Sequence, residues 1–123
     1  MADVYAKIVG LSEVHEDDGL EIYDFLLLED EEVLLSYKSI RDRLVITDSK
    51  LIIINVQGLT GKKKEYMVIP FSKISAFSVE SAGSFDLDAE LKIYASGINQ
   101  LELQLTKHTD VRPLAALLSQ AIS

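Results

Sequence analysis

Few residues in this chain could do chemistry. It has two histidines, His15 and His108, and no cysteine. General-base catalysis near neutral pH draws most often on histidine, and without a thiol a nucleophile must be Ser, Thr or Lys. His15 lies in the charged run His15-Glu16-Asp17-Asp18. His108 precedes Thr109 and Asp110, where it most simply caps a helix or pairs with Asp110. Neither histidine has a nucleophile-elbow or phosphate-loop spacing near it. We therefore expect no enzymatic activity, no catalytic residue, no cofactor and no metal centre.

Three charged clusters remain. Lys62-Lys63-Lys64 is the basic one, on a loop bounded by Gly58 and Gly61. It can touch anionic lipid, meet the acidic groups of a neighbouring subunit, or lie in solvent. Asp86, Asp88 and Glu90 fall on one face of a strand, where a row of carboxylates repels itself unless solvated or paired. They could receive lysines from a neighbour or hold a cation weakly, with a solvated face as the default. The acids of the His15–Asp18 run are consecutive and lack the spacing of a calcium loop, so they read as a polar connection.

Composition narrows the classes further. A chain of 123 residues fits one core, and a net charge of −8 repels nucleic acid and, on average, anionic membrane. The absence of cysteine suits a reducing compartment, and Met1-Ala2-Asp3 has no basic or apolar leader pattern, so we expect a cytoplasmic protein. The hydrophobic share of 48% leaves surplus apolar surface, as a subunit interface would.

These residues must be positioned by a chain with three zones of period. Residues 1–32 read as a helical, acidic extension. Val4, Ile8 and Leu11 fall on one face behind an Asp3 cap, and a second helix starts at Asp18 with Glu21 as its capping-box partner. Ile22, Phe25, Leu26 and Leu28 make its apolar stripe. From Val33 to about Lys107 the period is two, with strands near 33–40, 43–48, 50–57, 65–70, 73–80, 85–95 and 98–106. Ser96-Gly97 turns the last two into a hairpin. A helix capped by Thr109 or Asp110 then buries Val111, Leu114, Leu118 and Ile122. Leu51-Ile52-Ile53-Ile54 is apolar on both strand faces. Either the stripe of Ile22, Phe25 and Leu26 covers the second face, or another subunit does, which makes Ile52 and Ile54 candidate interface residues. The fold class is mainly β: about seven antiparallel strands over 33–123, which must curl into a sandwich or a partly open barrel, with the C-terminal helix able to plug the open end.

Three stretches, S-I-R-D-R-L-V-I-T-D-S-K-L-I-I-I-N-V-Q-G-L-T-G-K-K-K-E-Y (39–66), I-P-F-S-K-I-S-A-F-S-V-E (69–80) and F-D-L-D-A-E-L-K-I-Y (85–94), resemble the bacterial pleckstrin-homology (PH) domain family. The resemblance implies a PH-like split barrel with a C-terminal capping helix and no enzymatic activity, and a tendency to form ring-shaped homo-oligomers, often pentamers. It establishes no ligand. Phosphoinositide-binding relatives carry several basic residues on a long first hairpin loop. Arg41-Asp42-Arg43 is too short and too self-neutralised to wrap a polyphosphate headgroup. The expected function is a self-assembling scaffold that contacts itself and an unidentified protein partner. Its surfaces would be Ile52 and Ile54 for affinity, with Lys62–Lys64 against Asp86, Asp88 and Glu90 for register. The alternative is a peripheral lipid-binding domain acting through Lys62–Lys64.

Overall fold

Turn chemistry sets several strand ends. Gly97 and Asn99 take positive φ values of 94° and 64°, which closes a tight turn between two alternating segments. At another turn the Thr47 hydroxyl accepts the amides of Ser49 and Lys50, both at 3.1 Å, and reverses the chain in two residues. A computed structural model describes residues 4–80 and 89–123. Its strands are β1 (Val4–Val14), β2 (Val33–Lys38), β3 (Arg43–Thr47), β4 (Lys50–Gln57), β5 (Lys63–Pro70), β6 (Ile74–Glu80), β7 (Glu90–Ala95) and β8 (Asn99–Leu105). Two helices accompany them, α1 (Leu20–Tyr23), which runs on as a 3-10 turn over Asp24–Leu26, and α2 (Arg112–Ala121).

The strands form one open eight-stranded sheet in the order β5-β4-β3-β2-β1-β8-β7-β6. Every pairing is antiparallel except β1 with β8, which is parallel. One continuous core draws on all eight strands: Ile8 and Leu11, Tyr37, Leu44 and Ile46, Leu51 and Ile53, Ile69, Ile74, Leu91 and Ile93, and Leu101 to Leu105. A single cluster can collect residues from both ends of the sheet only if the sheet curls around it. Leu114 and Leu118 of α2 are fully buried in the same core with Val111 partly buried beside them, so the helix lies against the curled sheet as expected. Ile122, however, is 38% exposed, and the N-cap is Val111, without a side-chain cap, rather than Thr109 or Asp110.

The first zone corrects the sequence reading. Residues Val4–Val14, expected as a helix, are the strand that joins the two halves of the sheet, pairing with β2 on one side and β8 on the other. The register slips between Val4 and Ala6 and again between Val9 and Leu11, with Gly10 at φ 83° inside the second slip. Each slip displaces the alternation, so the inward residues Ile8 and Leu11 fall three apart and imitate a helical stripe. The helical part of this zone is confined to Leu20–Leu26, and the sheet has eight strands rather than seven. The capping box does not form, since Gly19 occupies the N-cap and Asp18 turns to Arg43 instead. The strand expected over 85–95 is observed as β7 from Glu90, and Phe85 to Asp88 lie outside the described residues.

Candidate functional site

No catalytic constellation forms among the described residues. His15 and His108 are both exposed. The Nδ1 of His15 accepts the Asp17 amide at 3.1 Å, a local turn contact. Asp110 takes the guanidinium of Arg112 at 2.9 Å and the Arg112 amide at 3.0 Å, so its partner is Arg112, not His108. That guanidinium, followed by the backbone hydrogen bond, holds the Asp110 carboxyl below its usual range. Among the described residues no group of three His, Cys, Asp or Glu side chains is placed to hold a metal ion. An open groove of about 340 Å³ runs between Leu34, Asp48, Phe71, Leu117, Gln120 and Ala121, and it contains no base or nucleophile pair.

The most developed polar site fastens α1 to the sheet. Glu31, whose side chain is 2% exposed, binds the Lys50 ammonium at 2.7 Å and the Leu28 amide at 3.0 Å. Its other oxygen accepts the hydroxyls of Thr47 and Ser49. Lys50 also donates to the Leu26 carbonyl at 2.8 Å. Burial alone would raise the Glu31 pKa. The Leu28 amide, Lys50 and the two hydroxyls outweigh it and hold the pKa at about 2. At the far end of the segment, Arg43 binds Asp18 at 2.9 Å.

Between these two ties the chain covers a second apolar face. Tyr23, Val33, Val45, Ile52 and Ile54 form a separate cluster, packed against Leu20, Ile22, Leu26 and Leu27. Ile52 and Ile54 are 0% and 1% exposed, so this chain fills their face itself and leaves no surface there for a second subunit. Of the two coverings open at the sequence level, the intramolecular one forms. Phe25, expected in the covering stripe, and Leu28, expected on the same helix's apolar stripe, are 66% and 70% exposed, while Tyr23 and Leu27 join Ile22 and Leu26 in the cover. The short helix passing into a 3-10 turn rotates the inward face. Phe25 still meets the Tyr66 ring edge-on at 5.1 Å.

The expected charged pair is only partly placed. Lys62, Lys63 and Lys64 are exposed at the β4–β5 loop and the start of β5. Glu90 opens β7 opposite Glu80 of β6 and Gln104 of β8. Asp86 and Asp88 lie outside the described residues.

The two sheet edges differ in a way the sequence does not announce. β5, at one edge, begins Lys63-Lys64 and ends in Pro70, residues that discourage further strand pairing. β6, at the other, pairs with β7 alone among the described residues. It carries no proline and no charge from Ile74 to Val79, and Ser75, Ala76, Ser78 and Val79 are exposed. After one slip between Ile74 and Ala76 its register is regular.

An eight-stranded curled sheet backed by a C-terminal helix places the chain in a class of small β-rich domains. The bacterial PH domain family profile matches residues 4–122, and the chain belongs to that family. It is similar to a PH-domain protein of the DUF1696 family from Shewanella loihica PV-4, at 37% identity and a TM-score of 0.81 over 94% of this chain and 99% of that one. A PH domain from Shewanella amazonensis SB2B is 40% identical with a TM-score of 0.71, covering 91% of both chains. Over 72 residues the chain is 56% identical to the uncharacterized protein YjqA of Bacillus subtilis strain 168, a match spanning 58% of each protein. YozO of the same organism, also uncharacterized, is 27% identical over 91% of this chain and 96% of its own length. No helix among the described residues is long and apolar enough to cross a membrane.

Proposed function

We propose that this protein is a non-enzymatic, self-assembling bacterial PH domain whose subunits join through the β6 edge. The edge position of β6, which pairs with β7 alone among the described residues and exposes Ser75, Ala76, Ser78 and Val79, carries this reading. Edge strands are guarded by lysine, proline or a bulge; β5 of the same sheet carries the first two, whereas β6 has neither from Ile74 to Val79 and a single slip at its start, between Ile74 and Ala76. The regular stretch of β6 after that slip offers a row of hydrogen-bonding groups to a strand from another chain, here a second copy. A β6–β6 contact closes a two-fold dimer, whereas β6 against a different surface of the next copy closes a ring, the assembly expected from the family resemblance.

Light scattering on the purified chain tests this. A mass that is an integral multiple of 13.7 kDa at micromolar concentration is expected, and a clean monomer refutes it. Val79→Lys places a charge on the edge at a residue 39% exposed, so it should lower the mass while the unfolding midpoint stays near that of the parent. An unchanged mass in that variant excludes β6 from the contact.

A further inference from the structure

The β2–β3 loop (39–42) and the β4–β5 loop (58–62) leave the same end of the sheet, because β3 and β4 pair from Arg43↔Ile54 to Ile46↔Leu51. They are tied together where the Arg41 guanidinium donates to the Gly58 carbonyl at 2.5 Å. The first loop is internally braced. The Asp42 amide donates to the Ser39 hydroxyl at 2.9 Å, and the Asp42 carboxylate accepts the Val56 amide at 2.9 Å. Each loop nevertheless lifts an apolar side chain away from the fold. Ile40 is 98% exposed and Leu59 is fully exposed.

A single exposed aliphatic residue needs no explanation. Two on neighbouring tied loops, surrounded by cations, do. Lys38, Arg41, Lys62, Lys63 and Lys64 are five of the chain's 12 basic residues, and all five are exposed. With Asp42 subtracted, segments 38–42 and 58–64 carry +4 in a chain whose total is −8. None of the five makes an ion pair among the described residues. Three acids of the surrounding strands and loops are engaged elsewhere: Asp42 accepts the Val56 amide, Asp18 binds Arg43, and Glu65 accepts the Tyr5 hydroxyl.

We propose that this end of the sheet docks on an anionic bilayer surface. Ile40 and Leu59 enter the boundary between headgroups and acyl chains, and the five cations lie among the headgroups. Aliphatic tips inside a basic collar suit a surface that is charged outside and oily beneath. Aliphatic tips enter nucleic acid only by unstacking base steps, a cost that the headgroup boundary of a bilayer does not impose. The loops are too short to enclose one headgroup, so charge density is recognised rather than a particular lipid. This docking surface is separate from the β6 edge and holds whether or not the subunits assemble.

Flotation of the full chain tests it, using phosphatidylcholine vesicles with and without roughly a third phosphatidylglycerol at about 0.15 M salt. Association with the anionic vesicles alone is expected, weakening as salt rises. Ile40→Ser with Leu59→Ser should reduce it by more than about tenfold. Lys62→Gln, Lys63→Gln and Lys64→Gln together should reduce it by roughly a hundredfold. Both variants should keep the parent's circular dichroism and unfolding midpoint. Absence of association with anionic vesicles overturns the proposal, as does association that survives the paired serine change. If the serine variant alters the light-scattering mass without vesicles, the tips form a contact between copies and the proposal also fails.

Discussion

Replacing Glu31 by Gln removes the charge from the clasp that holds α1 over Ile52 and Ile54. The folded carboxyl has a pKa near 2 against an ordinary value of 4.5. At 1.36 kcal/mol per unit, that difference sets a ceiling of about 3 kcal/mol on the charge's contribution. The substituted side chain keeps one acceptor, but it sets an uncharged amide beside a Lys50 side chain that is only 13% exposed. A loss of about 2–3 kcal/mol at neutral pH is therefore expected. The pH dependence identifies the cause. A carboxyl whose pKa is depressed by folding stabilises fully above its unfolded pKa and loses that contribution as pH falls through the folded one. The gap between parent and Glu31→Gln should be complete above about pH 5.5 and close largely between pH 4.5 and 2. Denaturant titrations at several pH values measure both stabilities, and taking their difference cancels the other carboxylates. An apolar dye should also bind the variant more strongly if the loosened segment uncovers the Val45–Ile52–Ile54 face. Equal stability of the two proteins at pH 7, or a gap that persists unchanged to pH 2.5, would refute the reasoning.

Leu91 and Leu103 face each other across β7 and β8 and are both fully buried, so either change to Ala should cost about 2–5 kcal/mol in a denaturant titration. The double change should depart from additivity, because the two side chains share a cavity. Tyr5 should titrate late. Burial, then its hydrogen bond to Glu65, pushes its pKa up to about 12. Burial also raises Tyr23 and Tyr37, so spectrophotometric titration of the phenols should show more than one group ionising late, and Glu65→Gln should lower the midpoint of Tyr5 alone. Because folding raises this pKa, the stability tied to the neutral phenol is full below about pH 10 and disappears as pH rises towards 12.

How much of this was legible in the sequence depended on whether a signal was local. β7 and β8 were readable because Leu91, Ile93 and Ala95, then Leu101, Leu103 and Leu105, alternate without interruption and both rows are buried. β1 was not, because two register slips break its alternation, and a strand with displaced period imitates a helix. The double-sided apolar run Leu51–Ile54 announced that two faces needed covering. It could not say by what, since a helix stripe and a second subunit make the same demand. Glu31 stands among four consecutive acids, Glu29 to Glu32, with nothing local to mark it. What selects it is the β3–β4 turn, 16 to 19 residues later, which places Thr47, Ser49 and Lys50 around one carboxylate. Ile40 and Leu59 were unreadable for the same reason. Each is one apolar residue in a polar loop until the pairing of β3 with β4 sets the two loops side by side. The Glu31 clasp and the pairing of Ile40 with Leu59 therefore both arise at hairpin ends. There, residues of ordinary local sequence are brought together by strand register, and register is the property that a residue-by-residue reading recovers last.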